Sequence, residues 1–170
     1  MSSYIDFYFD VISPYSYIAH KKIQKIKESQ KVIFNYKPIL LGGLHNLAGI
    51  NAPAFNKYKM KNMQSDCELV SKKNNISFTW NSKFPISSLS IMRGYISANE
   101  TQKDDYLNTF FNAYWKNNLD LSSEKEFLIT QLREDLEATT TLKQSERAVG
   151  ESELQQQSYT IDNPYQIYIH

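Results

Sequence analysis

The 170 residues carry 19 lysines and arginines against 18 aspartates and glutamates, with no long block of either sign, so neither nucleic acid nor an anionic membrane is expected as a partner. A single cysteine, Cys67, excludes an intramolecular disulfide, a zinc knuckle and a dithiol redox pair. No apolar run of about eighteen residues occurs, and "MSSYIDFYFD" lacks a basic region followed by an apolar one, which predicts a soluble, cytoplasmic chain with room for one domain or a domain carrying an inserted subdomain.

Tyr4–Phe9, "YIDFYF", is aromatic and β-branched and predicts a buried strand. From Pro14 the apolar residues Tyr15, Ile18, Ala19, Ile23 and Ile26 recur at helical spacing between lysines, predicting an amphipathic helix to about Glu28. Val32–Tyr36, "VIFNY", predicts a second strand, closed by Pro38. Strand, helix, strand at this spacing is a βαβ unit, hence a parallel pair joined by a right-handed crossover. Gly42, Gly43, Gly49 and Pro53 predict a loop. Asn56–Asn74 predicts a helix with Met60, Met63, Cys67 and Val70 on one face. Turns around Trp80 and Phe84-Pro85 precede three more predicted helices: Ser87–Asn99 from a serine-rich cap, Asp105–Trp115, and Glu124–Leu136. The remaining residues are polar and poor in core formers.

The junction of the first strand and helix reads "FDVISPYSYIA", Phe9 to Ala19. Ser13 and Ser16 flank Pro14 and Tyr15, the spacing of a redox Cys-x-x-Cys with hydroxyls in place of sulfur. On spacing alone Ser13 is an ordinary cap: its Oγ accepts a free backbone N–H, and proline at the first helical position has no N–H to satisfy. Its place in the chain allows a second role. A helix that directly follows the first strand starts at that strand's carboxyl end, where open α/β sheets hold ligands. An anion there meets amide hydrogens, the positive end of the helix dipole and a hydroxyl donor. Such a site suits a thiolate.

Four segments, "YFDVISPYSYIA", "PILLGGLHNLAG", "KFPISSLSIMRG" and "FFNAYWKNNLDL", resemble in that order the landmarks of 2-hydroxychromene-2-carboxylate isomerases and kappa-class glutathione transferases. Both belong to the thioredoxin-like superfamily that includes DsbA, and the resemblance covers roughly residues 4–132. It implies an α/β fold, a thioredoxin-like βαβ unit with an all-helical insertion. Residues 1–52 would open the thioredoxin-like domain, 53–137 form the insertion, and 138–170 make an atypical polar tail in which the C-terminal ββα part is missing or altered. The family's Val-Pro with a cis peptide has no counterpart after Leu136, where the late Pro164 follows Asn163.

The resemblance also implies a cofactor, glutathione, and a role for Ser13: donating a hydrogen bond to the bound sulfur rather than attacking. Pro14 and Tyr15 would border the cysteinyl part, and Ser16 would be structural. Asn51 stands one place beyond Ile50, where the family commonly has a glutathione-contacting asparagine; from its own surroundings Asn51 is a turn former before Ala52-Pro53. Lys59 falls where kappa enzymes place a lysine near the ligand carboxylate, although a lysine in "NKYKMKN" equally reads as a solvated helix face. The implied reaction is a reversible conjugate addition to an unsaturated 2-oxo acid, with kappa-type transfer to an electrophile, or a truncated non-catalytic member, as the alternatives. The implied partners are a small aromatic or electrophilic molecule and a second copy of the chain.

The other chemistry-bearing residues read more plainly. Asp66 matches a family landmark and is expected to act through helix electrostatics. His20 is expected to be packing or surface. His45 lies in the ligand-side loop within reach of a substrate, and no second ligand is spaced with it, so no metal site is expected. The Tyr114-Trp115 stripe is core or the wall of an aromatic pocket. Cys67 is expected to be a buried small hydrophobe.

Overall fold

The computed structural model describes residues 3–29 and 32–123. The helix expected over 124–136, the polar tail over 138–170 and Pro164 lie outside the described residues. Strand β1 (Ser3–Phe9), helix α1 (Pro14–Ser29) and strand β2 (Val32–Pro38) form the expected βαβ unit. The strands pair in parallel, Ser3 opposite Val32 and Phe7 opposite Tyr36. There follow α2 (Leu41–Leu47), a 3-10 turn (Pro53–Phe55), α3 (Lys57–Lys73), α4 (Leu89–Ser97) and α5 (Lys103–Trp115).

Three expectations are corrected. The glycine-rich stretch predicted as a loop begins with α2, although Gly42 and Gly43 weaken its helix propensity. Gly49, at φ +64°, then turns the chain into the left-handed region that glycine adopts without a Cβ penalty. The second correction concerns β1, expected to be buried: Tyr4, Ile5 and Tyr8 are exposed, while Phe7 is half-buried and Phe9 fully buried. Side chains alternate across a strand, so Tyr4 and Tyr8 point away from the core face, and Ile5, on the same face as Phe7 and Phe9, lies outside the core cluster that those two join. The third lies in α1, whose inward face carries Tyr17, Ile18, His20 and Ile23, whereas Tyr15 stands half exposed. Tyr17 goes inward because its hydroxyl donates to the Ser77 carbonyl at 2.6 Å, satisfying the polar end of an otherwise apolar ring.

The core sits between β1–α1 and α5. Leu107, Phe110, Phe111, Tyr114 and Trp115 of α5 are completely buried. Phe111 packs on Phe9, Tyr17 and His20, so the α5 stripe is core and not the wall of a pocket. His20 is buried in the middle of this packing. Its Nδ1 meets the Tyr36 hydroxyl at 2.9 Å and its Nε2 the Asn108 Oδ1 at 3.0 Å, tying α1 to β2 and to α5. With the Tyr36 hydroxyl donating and the Asn108 carbonyl accepting, a neutral ring satisfies both partners. Burial accordingly holds the His20 pKa down at about 4, against 6.5 for a free imidazole.

This has a directional consequence for acid stability. Between about pH 6.5 and pH 4 the unfolded chain binds the His20 proton and the folded chain does not, so stability falls as pH drops through that window, by about 3 kcal/mol at full extent. Urea denaturation at about pH 7 and about pH 4.5 is expected to show a lower midpoint in acid, and His20→Gln is expected to remove most of that difference.

Candidate functional site

The site is built on the turn between β1 and α1, and a buried carboxylate shapes that turn. Asp10 is 1% exposed. Its Oδ1 accepts the Ile12 N–H at 3.1 Å and its Oδ2 accepts the Leu41 N–H at 2.7 Å. Its main-chain carbonyl accepts the Ser13 N–H at 3.0 Å. One residue therefore satisfies three backbone donors and fixes the start of α1 relative to the start of α2. From behind, the Trp115 indole N–H donates to the Val11 carbonyl at 2.8 Å, so both sides of the buried turn have partners.

This arrangement decides which donors remain at the head of α1. The Ser13 N–H is committed to Asp10, Pro14 has none, and the Ser16 N–H donates to Ser13 Oγ at 3.2 Å. Ser13 is thus the cap that its spacing predicts. A hydroxyl that accepts still has its proton to give, and among the described residues neither that O–H nor the Tyr15 N–H has a protein acceptor. These two donors lie at the positive end of a 16-residue helix.

Both residues line a cavity of about 450 Å³, a volume typical of small-molecule sites. Its walls are mostly apolar: Ile12, Leu40, Phe55, Met63, Phe84 and Ile86. Ser13, Pro14, Tyr15 and His45 line the same cavity. The wall at 84–88, which includes the cis Phe84–Pro85 peptide, is held by buried Asn81. Its side-chain amide donates to the carbonyls of Tyr114 and Leu119 at 2.9 and 3.0 Å, and its Oδ1 accepts the Lys83 N–H at 2.8 Å. An adjoining groove shares Tyr15, Pro53 and Met63 with the cavity and adds Tyr58, Lys59 and Asn62.

The structure thus brings together Ser13, Pro14, Tyr15 and His45, and places Lys59 in the neighbouring groove. Asn51 is exposed and lines neither. Asp66 has a definite partner: Tyr15 donates its hydroxyl hydrogen to Asp66 Oδ2 at 3.1 Å. Partial burial and that carboxylate push the phenol up to about 12, so Tyr15 keeps its proton and its ring is steered over α3. Cys67 lies buried beside this pair, its thiol pushed up to about 12 by burial and by Asp66. It is packing, not a nucleophile. Among the described residues no group of His, Cys, Asp or Glu could hold a metal ion, and no helix is long and apolar enough to cross a membrane.

Two positioning residues, Asp10 and Asn81, escape a reading of the sequence. The sole hint was Asp10 ending a strand one step before the serine turn, a place where side-chain oxygens commonly satisfy turn amides. Asn81 gave no signal as a tie to α5, because both acceptors of its side-chain amide lie more than thirty residues away.

The model of the DsbA-like thioredoxin domain matches residues 4–161. The chain belongs to this DsbA-like family. Within it, a 2-hydroxychromene-2-carboxylate isomerase from Sphingobium xenophagum is 27% identical over 128 residues, 74% of this chain and 65% of that protein. One from Pseudomonas putida is 27% identical over 113 residues, 65% and 55% of the respective chains. Glutathione S-transferase kappa 1 from Caenorhabditis elegans is 42% identical over 69 residues, 40% of this chain and 30% of that one. The chain spans less than two thirds of the length of each of these curated relatives. A solved 2-hydroxychromene-2-carboxylate isomerase shares the fold, with a TM-score of 0.67 at 23% identity over 78% of this chain and 66% of that one. Relatives in this DsbA-like family thus carry isomerase and glutathione transferase names.

Asp10→Asn tests the turn. An amide offers one acceptor and one donor where the carboxylate offered two acceptors, so either Ile12 or Leu41 is left with its N–H facing another N–H. The substitution is expected to lower stability by about 1–3 kcal/mol, read by urea denaturation.

Proposed function

We propose that the chain binds glutathione with its sulfur against the head of α1 and acts as an isomerase of the 2-hydroxychromene-2-carboxylate type on an unsaturated 2-oxo acid. The observation that carries this reading is the pair of uncommitted donors, the Ser13 hydroxyl and the Tyr15 N–H, on two residues that line a mostly apolar cavity at the positive end of α1. That donor set fits a thiolate: few donors, all neutral, with a large apolar surround that suits the weakly hydrated sulfur. Bound glutathione would supply a nucleophilic sulfur that adds reversibly to a polarised double bond.

The residues of the chain would do the rest. A free thiol near pKa 8.5 must fall by about one to two units to ionise at neutral pH, which requires about 1.4–2.7 kcal/mol. A helix terminus contributes up to about 2 kcal/mol in a partly buried geometry, and a hydrogen bond to a charged group about 1.5–3. Together they suffice, and neither needs a charged side chain at the sulfur. Pro14 and Tyr15 border the thiol-bearing part of the ligand, Asp66 holds the Tyr15 ring in place, and Lys59 in the adjoining groove faces a ligand carboxylate. Phe55, Phe84, Met63 and Ile86 exclude water from the small electrophile.

The partial match to a kappa-class glutathione transferase favours a second outcome at the same site: transfer of the thiol to an electrophile that keeps it. Ser13 serves both reactions. Ser13→Ala is expected to raise the pKa of the bound thiol, read by its thiolate absorbance in the ultraviolet, by about one unit or more, and to lower turnover by about tenfold or more. Full activity and an unshifted thiol in that variant would refute the role given to the hydroxyl.

A further inference from the structure

The cavity beside Ser13 contains one imidazole that thiol binding leaves unused. His45, on α2, lines the cavity and is half-buried. Among the described residues its ring nitrogens have no protein partner, unlike those of His20. It is also the one histidine among the residues that line the cavity. Tyr15, the other ionisable group in the wall, holds its proton to about pH 12 and directs it to Asp66. The wall segments at 52–55 and 84–88, and Met63 of α3, bring no charged group. The Asp10 carboxylate behind the start of α2 is occupied by two backbone N–H groups. Because one of these belongs to Leu41, the helix carrying His45 is held in fixed relation to the turn carrying Ser13. Ser13 and His45 therefore share a largely apolar chamber, whose other polar side chains are the Tyr15 phenol and the neutral hydroxyls of Ser87 and Ser88.

We propose that His45 binds the carbonyl oxygen of an α,β-unsaturated carbonyl substrate and acts as its proton donor, so that this cavity selects conjugate acceptors over halide-displacement substrates. This deepens the reading above and rests on it. When a thiolate adds to the β-carbon of such a substrate, its electron pair forms the carbon–sulfur bond. The carbon–carbon π pair moves to the adjacent bond, and the carbonyl π pair moves to oxygen. The proton that meets this charge comes from the protonated imidazole of His45. In the reverse direction the neutral ring takes the proton back, the double bond re-forms and the thiolate leaves, with no net oxidation. Displacement of chloride from an activated ring develops no charge on a carbonyl oxygen and needs no such donor.

The test compares the full-length protein with His45→Gln, a change at a half-exposed position that keeps a hydrogen-bonding side chain. Glutathione binding by calorimetry is expected to be equal in the two. With benzylideneacetone as acceptor, kcat/KM is expected to fall about 100-fold in the variant and to lose the decline at high pH that a proton donor imposes. With an activated aryl chloride the two proteins are expected to match. Independently of turnover, the His45 ring resonance, identified by its absence from the variant, is expected to shift in proton NMR on adding the unreactive saturated ketone benzylacetone. An unmoved resonance at saturating ketone, or an undiminished rate with the enone, overturns the assignment to His45 while leaving the Ser13 site standing. Absence of glutathione binding to the wild type overturns the Ser13 site itself, and the ketone-induced shift then decides alone whether His45 receives a carbonyl oxygen.

Discussion

The geometry of the site depends on one buried carboxylate. Asp10 gathers the N–H groups of Ile12 and Leu41 on its side chain and that of Ser13 on its carbonyl. A buried carboxylate without partners is strongly unfavourable, and one with two amide donors becomes a stable anchor. Because the donors come from two separate segments, the anchor does more than close a turn. It takes the Ser13 N–H out of play, leaves the Ser13 hydroxyl proton free, and sets α2 alongside the head of α1.

The hydrophobic core supports the same turn from its other side. The aromatic face of α5 packs on Phe9 and Tyr17 and ends in Trp115, whose indole N–H closes on the Val11 carbonyl. Trp115 also stacks with Phe78 and packs against Phe84, a residue of the cavity wall. Packing energy spent on burying aromatic rings therefore also positions the polar turn and one wall of the chamber. Neither Ser13 nor the wall at 84–88 relies on its own short segment for its orientation.

How much of this was legible in the sequence follows from the range of each interaction. The βαβ unit and the Ser13 cap were legible, since hydrophobic period and capping chemistry act over a few residues. Helix α2 was not, because two glycines hide it and a partner 31 residues away secures its first turn. The inward face of α1 was misread at Tyr15 and Tyr17: both are tyrosines at plausible positions, and only the distant acceptors, Asp66 and the Ser77 carbonyl, decide which ring turns outward. His20 sat between packing and surface for the same reason. Asn51 was placed by family spacing alone, and a side chain on an exposed loop is not constrained by spacing.

The chamber draws its two halves from different parts of the chain. The edge that carries Ser13 belongs to the β1–α1 turn, while much of its apolar wall comes from the stretch at 52–63 and from the segment at 84–88. Substitutions at Phe55, Met63, Phe84 or Ile86 can reshape what fits inside without touching a single bond of the Ser13 turn. The outline of the chamber and the anchoring of its polar edge are thus separable features, open to independent variation.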